Sequence, residues 1–204
     1  MNILRNLAGV IPARWTAPLL LPGLLLGLLS ALPAACRAED ATRAEQSACG
    51  AQRADPAAAS PDSLVKALYD TVSGPANSAK NWARLEGLHA PGALITPTQH
   101  RPALGFAAAP QTLPAFIALN ERLFAKVGFY EREIFQRVQQ FGHIAHVWSG
   151  YETREHPGGV VNSRGVNSFQ LLHDGRRWCV LSATWDTDTA DHSMPAGGDG
   201  DPFK

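Results

Sequence analysis

From Tyr130 to Asp186 the apolar residues of this chain stop recurring at helical spacing. They run instead in four strand-length stretches, 130–139, 144–154, 161–173 and 176–186, joined by turn residues. A chain that ends in so much consecutive strand must pair it locally, and consecutive strands with short links pair antiparallel. Polar residues sit inside these runs, at His146, Tyr151, Asn167 and Ser182. A sheet of this kind can wall a pocket, although no reaction is written in it.

Upstream the periodicity changes. Leu64, Val65, Leu68, Tyr69 and Val72 fall at helical spacing after Pro61-Asp62, with Asp62 available as the cap, and Gly74-Pro75 ends the helix. A short second helix carries Trp82, Leu85 and Leu88 and is expected to stop at Pro91-Gly92. Ala93 to Thr96 reads as a short strand, and 97–110 as a loop with three prolines. Thr112 starts a third helix with Phe116, Leu119, Leu123 and Val127 as its apolar stripe and Gly128 as its stop. Helices first and a long antiparallel sheet afterwards make an α+β domain.

Asp174-Gly175 between two strand-like runs predicts a two-residue turn, which fixes a register. Leu171 then faces Trp178, Phe169 faces Val180, Asn167 faces Ser182 and Gly165 faces Thr184 on one side. The other side carries Arg164, Ser168, Gln170, Leu181 and Trp185. Both sides are largely apolar, whereas a sheet with one wet face alternates cleanly. The helices can cover one face, and a second copy of the chain is the economical cover for the other. A homodimer through the sheet is therefore expected.

The first residues have the layout of an export leader: Arg5 and Arg14, an apolar run from Leu19 to Leu32, then Ala34, Ala35 and Ala38. Cleavage is expected after Ala38, leaving no membrane span. The apolar run is shorter than the roughly 20 residues a spanning helix needs, so a retained anchor is the alternative. Cys36 raises a lipoprotein alternative, against which Pro33 stands where such signals carry leucine. The protein is expected in the periplasm or outside the cell. Three of the 18 basic residues and none of the 18 acidic ones lie in 1–38, so the remainder carries a net charge of −3. No basic stripe points to nucleic acid. Residues 39–60 read as a flexible tail, 61–190 as one folded domain and 191–204 as a disordered tail. Past the leader, only Cys49 and Cys179 remain. An oxidising compartment permits their pairing, while the place of Cys49 in a tail favours two separate thiols.

The segments Gly128-Phe129-Tyr-Glu-Arg-Glu133, Phe141-Gly142 to Glu152, Arg164-Gly-Val-Asn-Ser-Phe-Gln-Leu171 and Arg177-Trp178 to Trp185-Asp186 carry a family resemblance. Together with the helix–helix–strand–helix order they resemble the nuclear transport factor 2-like (NTF2-like) superfamily, which includes the SnoaL-like cyclases. The resemblance covers about 64–188 and implies a cone-shaped fold, three helices packed on a curved antiparallel sheet. It leaves function open, since the superfamily holds isomerases, cyclases, dehydratases, hydrolases and plain binding proteins.

Enzymes of that superfamily use an acid or base deep in the cone, where a dry pocket tunes its pKa. His146 and Asp186 are the candidate catalytic residues on this resemblance. His143 and His146 stand three apart on one strand and point to opposite faces, which defeats a metal chelate; no metal or cofactor is expected. Tyr69, Trp82, Tyr151, Asn167, Trp178 and Ser182 are the candidate ligand contacts, with Asn167 and Ser182 as a polar pair on an apolar face. Glu131 and Glu133 share a strand face and look like paired carboxylates, but an exposed edge strand with Arg132 and Arg137 nearby explains them. The expected function is binding of a small, partly apolar molecule. The alternatives are an isomerase- or SnoaL-like enzyme and a purely structural dimerisation domain.

Overall fold

The computed structural model of the chain describes residues 47–51, 55–101 and 105–194. The expected leader with Cys36, the start of the 39–60 tail and residues 195–204 lie outside these. Helix α1 spans Pro61–Val72, and Ser60 caps it by accepting from the Ser63 amide at 3.1 Å. The sequence assigned the cap to Asp62, which instead sits in the first turn. Pro61 explains the difference, because proline fits the first helical position and leaves the residue before it as the cap. Helix α2 (Trp82–Leu88) is capped by Asn81 and α3 (Leu113–Phe124) by Thr112.

The strands are β1 (His89–Arg101), β2 (Gly105–Ala108), β3 (Gln111–Thr112), β4 (Tyr130–Phe141), β5 (Ile144–Arg154), β6 (Ser163–His173) and β7 (Trp178–Thr187). They form one open sheet in the order β2-β1-β7-β6-β5-β4, with β3 also on β1. All pairs are antiparallel except β1 with β7, where Leu94 faces Ser182 and Pro97 faces Trp185 in parallel. The loop expected over 97–110 is thus largely strand: β1 continues past Pro97 and turns back as β2. Pro91-Gly92 does not end α2 but marks the irregular stretch of β1, with Gly92 at φ 78°.

One core unites the parts. Leu64, Val65 and Leu68 of α1 and Leu88 of α2 share it with Val147, Leu171 and Val180 of the sheet. The sheet face that enters this core is called inner here. In α3 the buried residues are Leu113, Ile117 and Phe124, while Leu119 is 61% exposed and Leu123 50%. The helix is therefore rotated from the stripe read off the sequence; Phe116 keeps its part as a half-buried ring against Trp185, and Leu123 lines the cavity described below with its exposed side turned to solvent.

The 39–60 segment is not a free tail where it is described. Ser47 donates to Asp174, Ala58 of the 3-10 turn Pro56–Ala59 is fully buried, and Cys49 forms a disulfide with Cys179. The expectation of two separate thiols is corrected: Arg177 donates to the Cys49 carbonyl and so holds Cys49 against the outer face of β7.

The β6–β7 register also differs. The Asp174 carboxylate accepts from the amides of Arg176 and Arg177, at 2.8 and 2.9 Å, and widens the link to four residues. Leu171 therefore faces Val180, two residues away from the expected partner. A bulge at Leu181 then adds one more step, so Asn167 faces Trp185 and Gln170 faces Ser182. One extra residue turns every later side chain to the opposite face. Ala183 and Trp185 thus point inward, and Ser182 points outward. The outer face loses two apolar members this way and is more polar than the sequence reading held.

Candidate functional site

A cavity of about 280 Å³ lies against the inner face. Its apolar walls include Leu68 and Val72 from α1, Leu85 from α2, Ile95 from β1, Leu113 from α3 and Ala183 from β7. Seven Phe, Tyr and Trp rings join them: Tyr69, Phe116, Phe124, Phe129, Tyr151, Phe169 and Trp185. The alternation of strand residues delivers these groups. Tyr151 and Thr153 of β5, Asn167 and Phe169 of β6, and Trp185 and Thr187 of β7 are two apart and so share the inner side. Gly165 is required here, because a Cβ at that position would meet the Tyr151 hydroxyl at 2.6 Å and the Asp186 carbonyl.

The polar groups of the cavity are chained. Asn167 Nδ2 donates to the Tyr69 hydroxyl at 3.0 Å, Tyr69 shares a 2.6 Å bond with Ser149 Oγ, and Ser149 donates to Glu133 Oε1 at 2.5 Å. Burial raises the Tyr69 phenol well above its ordinary range, so it stays protonated. Tyr151, pushed up to about 12 by burial, bonds Thr187 Oγ1 at 3.1 Å. His89 is buried, with Nδ1 at 2.7 Å from the Leu85 carbonyl; burial pushes its pKa down to about 4, so the ring is neutral and Nδ1 donates.

Glu131 stands at the head of this chain. Its half-buried side chain lines the cavity, and removal from water pushes its pKa up to about 7 against a hydrogen bond from Asn167. The backbone of Glu131 is fixed by Ser73 at the end of α1, whose Oγ accepts from the Glu131 amide at 3.0 Å and lies 3.1 Å from its carbonyl. Sequence reasoning set this residue aside as an exposed edge-strand carboxylate. β4 is indeed the edge of the sheet, but its inner side is closed by α1.

Of the sequence-predicted contacts, Tyr69, Tyr151 and Asn167 meet in the cavity. Trp82 stands behind the wall, stacked on Phe124 at 6.2 Å. Trp178 is buried in the core against His173. Ser182 is on the outer face, opposite Gln170. His146 is outer too: its Nε2 is 2.9 Å from Ser168 Oγ and its ring meets Trp148 edge-on. Asp186 is exposed, accepting from Thr98 Oγ1 at 2.6 Å, with His192 at 3.4 Å. Neither candidate acid–base residue reaches the cavity. The pairing of Asn167 with Ser182 fails because the four-residue link shifts the register by two, and the bulge at Leu181 then turns Ser182 to the outer face.

Also on the outer face, Glu152 is 2% exposed and is met by Arg132 at 2.5 Å, Arg154 at 2.7 Å and Arg164 at 3.7 Å. Burial raises its pKa, but the arginine hydrogen bonds outweigh that and leave it lowered. Among the described residues no three His, Cys, Asp or Glu side chains gather as a metal site requires.

No family model matches the chain, and no curated protein matches it. Similar solved structures exist. An NTF2-like protein of unknown function from Shewanella baltica is 13% identical, with TM-score 0.41 over 63% of this chain and 88% of that one. A protein with a cystatin-like fold from Nostoc punctiforme is 7% identical, with TM-score 0.47 over 65% and 96%. The yeast Ubp3-associated protein Bre5 is 13% identical, with TM-score 0.46 over 63% and 93%.

Proposed function

We propose that this is an exported NTF2-like domain that binds a small, largely apolar molecule in the cavity against the inner sheet face. The cavity carries the reading: apolar and aromatic walls with a few convergent polar groups are the usual make-up of a small-molecule site. The cone shape expected from the family resemblance accords with three helices and a long, mostly antiparallel sheet. Export is supported by the leader-like first 38 residues and by the Cys49–Cys179 disulfide, since such bonds persist in oxidising compartments. Pairing of two copies through the outer face is part of the proposal, supported by Trp148, Val166 and Leu181 on that side.

An isomerase-like enzyme is the second reading, and one observation favours it. The cavity does contain a carboxyl of shifted pKa, but it is Glu131 rather than His146 or Asp186.

Binding is tested by purifying the exported protein under native conditions, extracting it with organic solvent and analysing the extract by mass spectrometry. A small apolar compound in about equal amount to protein is expected. Ala183→Phe, which fills the cavity from β7, should lose it while keeping the circular dichroism of the parent. An extract equal in both proteins would place the ligand elsewhere.

A further inference from the structure

We propose that the cavity takes an apolar amine in its protonated form, its ammonium group held by the Glu131 carboxylate and its carbon skeleton set against the aromatic walls. This rests on the binding reading above and names the class of ligand. The partners of the polar groups carry it. Asn120 donates to the Phe116 carbonyl at 2.8 Å, Thr153 and Ser163 bond each other at 2.7 Å, and Tyr151 bonds Thr187. Tyr69 is held by Ser149 and Asn167, and His89 by Leu85. Each of these cavity groups is engaged. Among the described residues the Glu131 carboxyl has Asn167 alone, although a carboxylate can accept several hydrogen bonds.

Among the described residues no ion pair reaches it. Among the described residues Arg84 goes to Asp55, and Arg132, Arg154 and Arg164 go to Glu152. Lys80 lies over the Phe124 ring at 5.4 Å to its centroid. A carboxyl buried without a counter-charge is costly when ionised, and an ammonium ion supplies the missing charge. The seven Phe, Tyr and Trp rings of the cavity add their attraction for a cation. A ketone, which can only accept, would use the same carboxyl only in its protonated form, so pH separates an ammonium ligand from a carbonyl ligand.

The other titratable groups facing Glu131 are the Tyr69 phenol on α1, the Tyr151 phenol on β5, His89 at the start of β1 and Glu133 on its own strand. Both phenols stay protonated and His89 stays neutral between pH 6 and 8. The Glu133 carboxyl is turned to Ser149 and Gln136. Helix α3 contributes Asn120, which does not titrate. The ionised fraction of Glu131, with its pKa about 7, rises about tenfold from pH 6 to pH 8.

The test uses the full mature protein, freed of extractable ligand, with 1-adamantanamine and 2-adamantanone as probes of nearly equal shape in calorimetric titrations. The amine is expected to bind about tenfold more tightly at pH 8 than at pH 6, and the ketone no more tightly. Glu131→Gln, with its fold checked by circular dichroism, should abolish the pH dependence of the amine and weaken it at least about tenfold at pH 8. The pH profile of the unmodified protein is decisive even if that variant does not fold. Amine binding that is flat or falls with pH overturns the proposal, as does amine binding indifferent to Glu131→Gln. Binding of the ketone without the amine overturns it too, yet leaves the cavity as a binding site. Binding of neither probe overturns the ammonium ligand, while the extraction experiment separately decides the cavity.

Discussion

Glu131 is the residue on which the inner face turns. Its carboxyl pKa is raised in the folded protein relative to the unfolded chain, so protons favour the fold. Between the unfolded value near 4.3 and the folded value of about 7, stability therefore falls as pH rises. Glu131→Gln in ligand-free protein should remove that loss, gaining on the order of 1–3 kcal/mol at pH 8 and little at pH 4. Urea melts at the two pH values read it, and equal stability of the two proteins at pH 8 would contradict the burial of this carboxyl. Asn167→Leu should weaken ligand binding while the fold survives, since Tyr69 keeps Ser149 as a partner; a titration with the extracted compound measures it. Tyr69, Tyr151 and Asn167 were legible because an inward polar group within an apolar alternation has few places to go. Glu131 was not legible. An edge strand reads as solvent-facing, and nothing in its own residues tells that Ser73 pins it under α1.

At the scale of elements, the long strands and the helix starts near Pro61 and Thr112 were readable from periodicity and turn chemistry, but the cap at Ser60 was not. The β6–β7 pairing was not. Asp-Gly favours a two-residue turn, but the Asp174 side chain captured two amides beyond Gly175 and lengthened the link. The bulge at Leu181 has no local sequence signal; β1 running parallel beside β7 goes with it, since Leu94 faces Ser182 just past the bulge. Asp174→Ala should cost about 1–3 kcal/mol, because the amides of Arg176 and Arg177 lose their acceptor. Burial raises the Asp174 pKa, yet bonds from Ser47 and these amides leave it lowered, so its contribution is present at neutral pH. It is lost as pH falls below about 4 through the folded value. Chemical denaturation of parent and variant from pH 7 to pH 2.5 should show the difference vanish; a constant gap would rule out the charge-assisted turn. The disulfide spans a loop of 130 residues. Reduction should lower stability by roughly 2–5 kcal/mol, seen as a lower melting temperature with a reductant present.

At the scale of the whole molecule, α+β order was legible and the parallel pair was not, because strand neighbours far apart in sequence leave no local trace. The proposed homodimer is tested by Leu181→Glu, which places a charge on the outer side at the bulge. Light scattering at micromolar concentration should find a dimer for the parent and a monomer for the variant; a monomeric parent removes the proposal. Export is tested by N-terminal sequencing of the native protein, with a new terminus near Glu39 expected and an intact Met1 in the cytoplasm as the opposing result.

The place of β7 has a consequence for how the molecule comes into being. The last strand among the described residues, β7, is an interior one, with β6 on one side and β1 on the other. His89 waits for Val180, roughly 90 residues further along, before β1 joins the sheet. Until the C-terminal strand emerges, the chain is two fragments with raw edges and half a core. On the proposed export route such a polypeptide would stay open while threaded through a narrow pore, and would close only once β7 has cleared it. The topology itself delays folding until β7 is available, and a chain truncated at Asp174 should never acquire a cooperative melting transition.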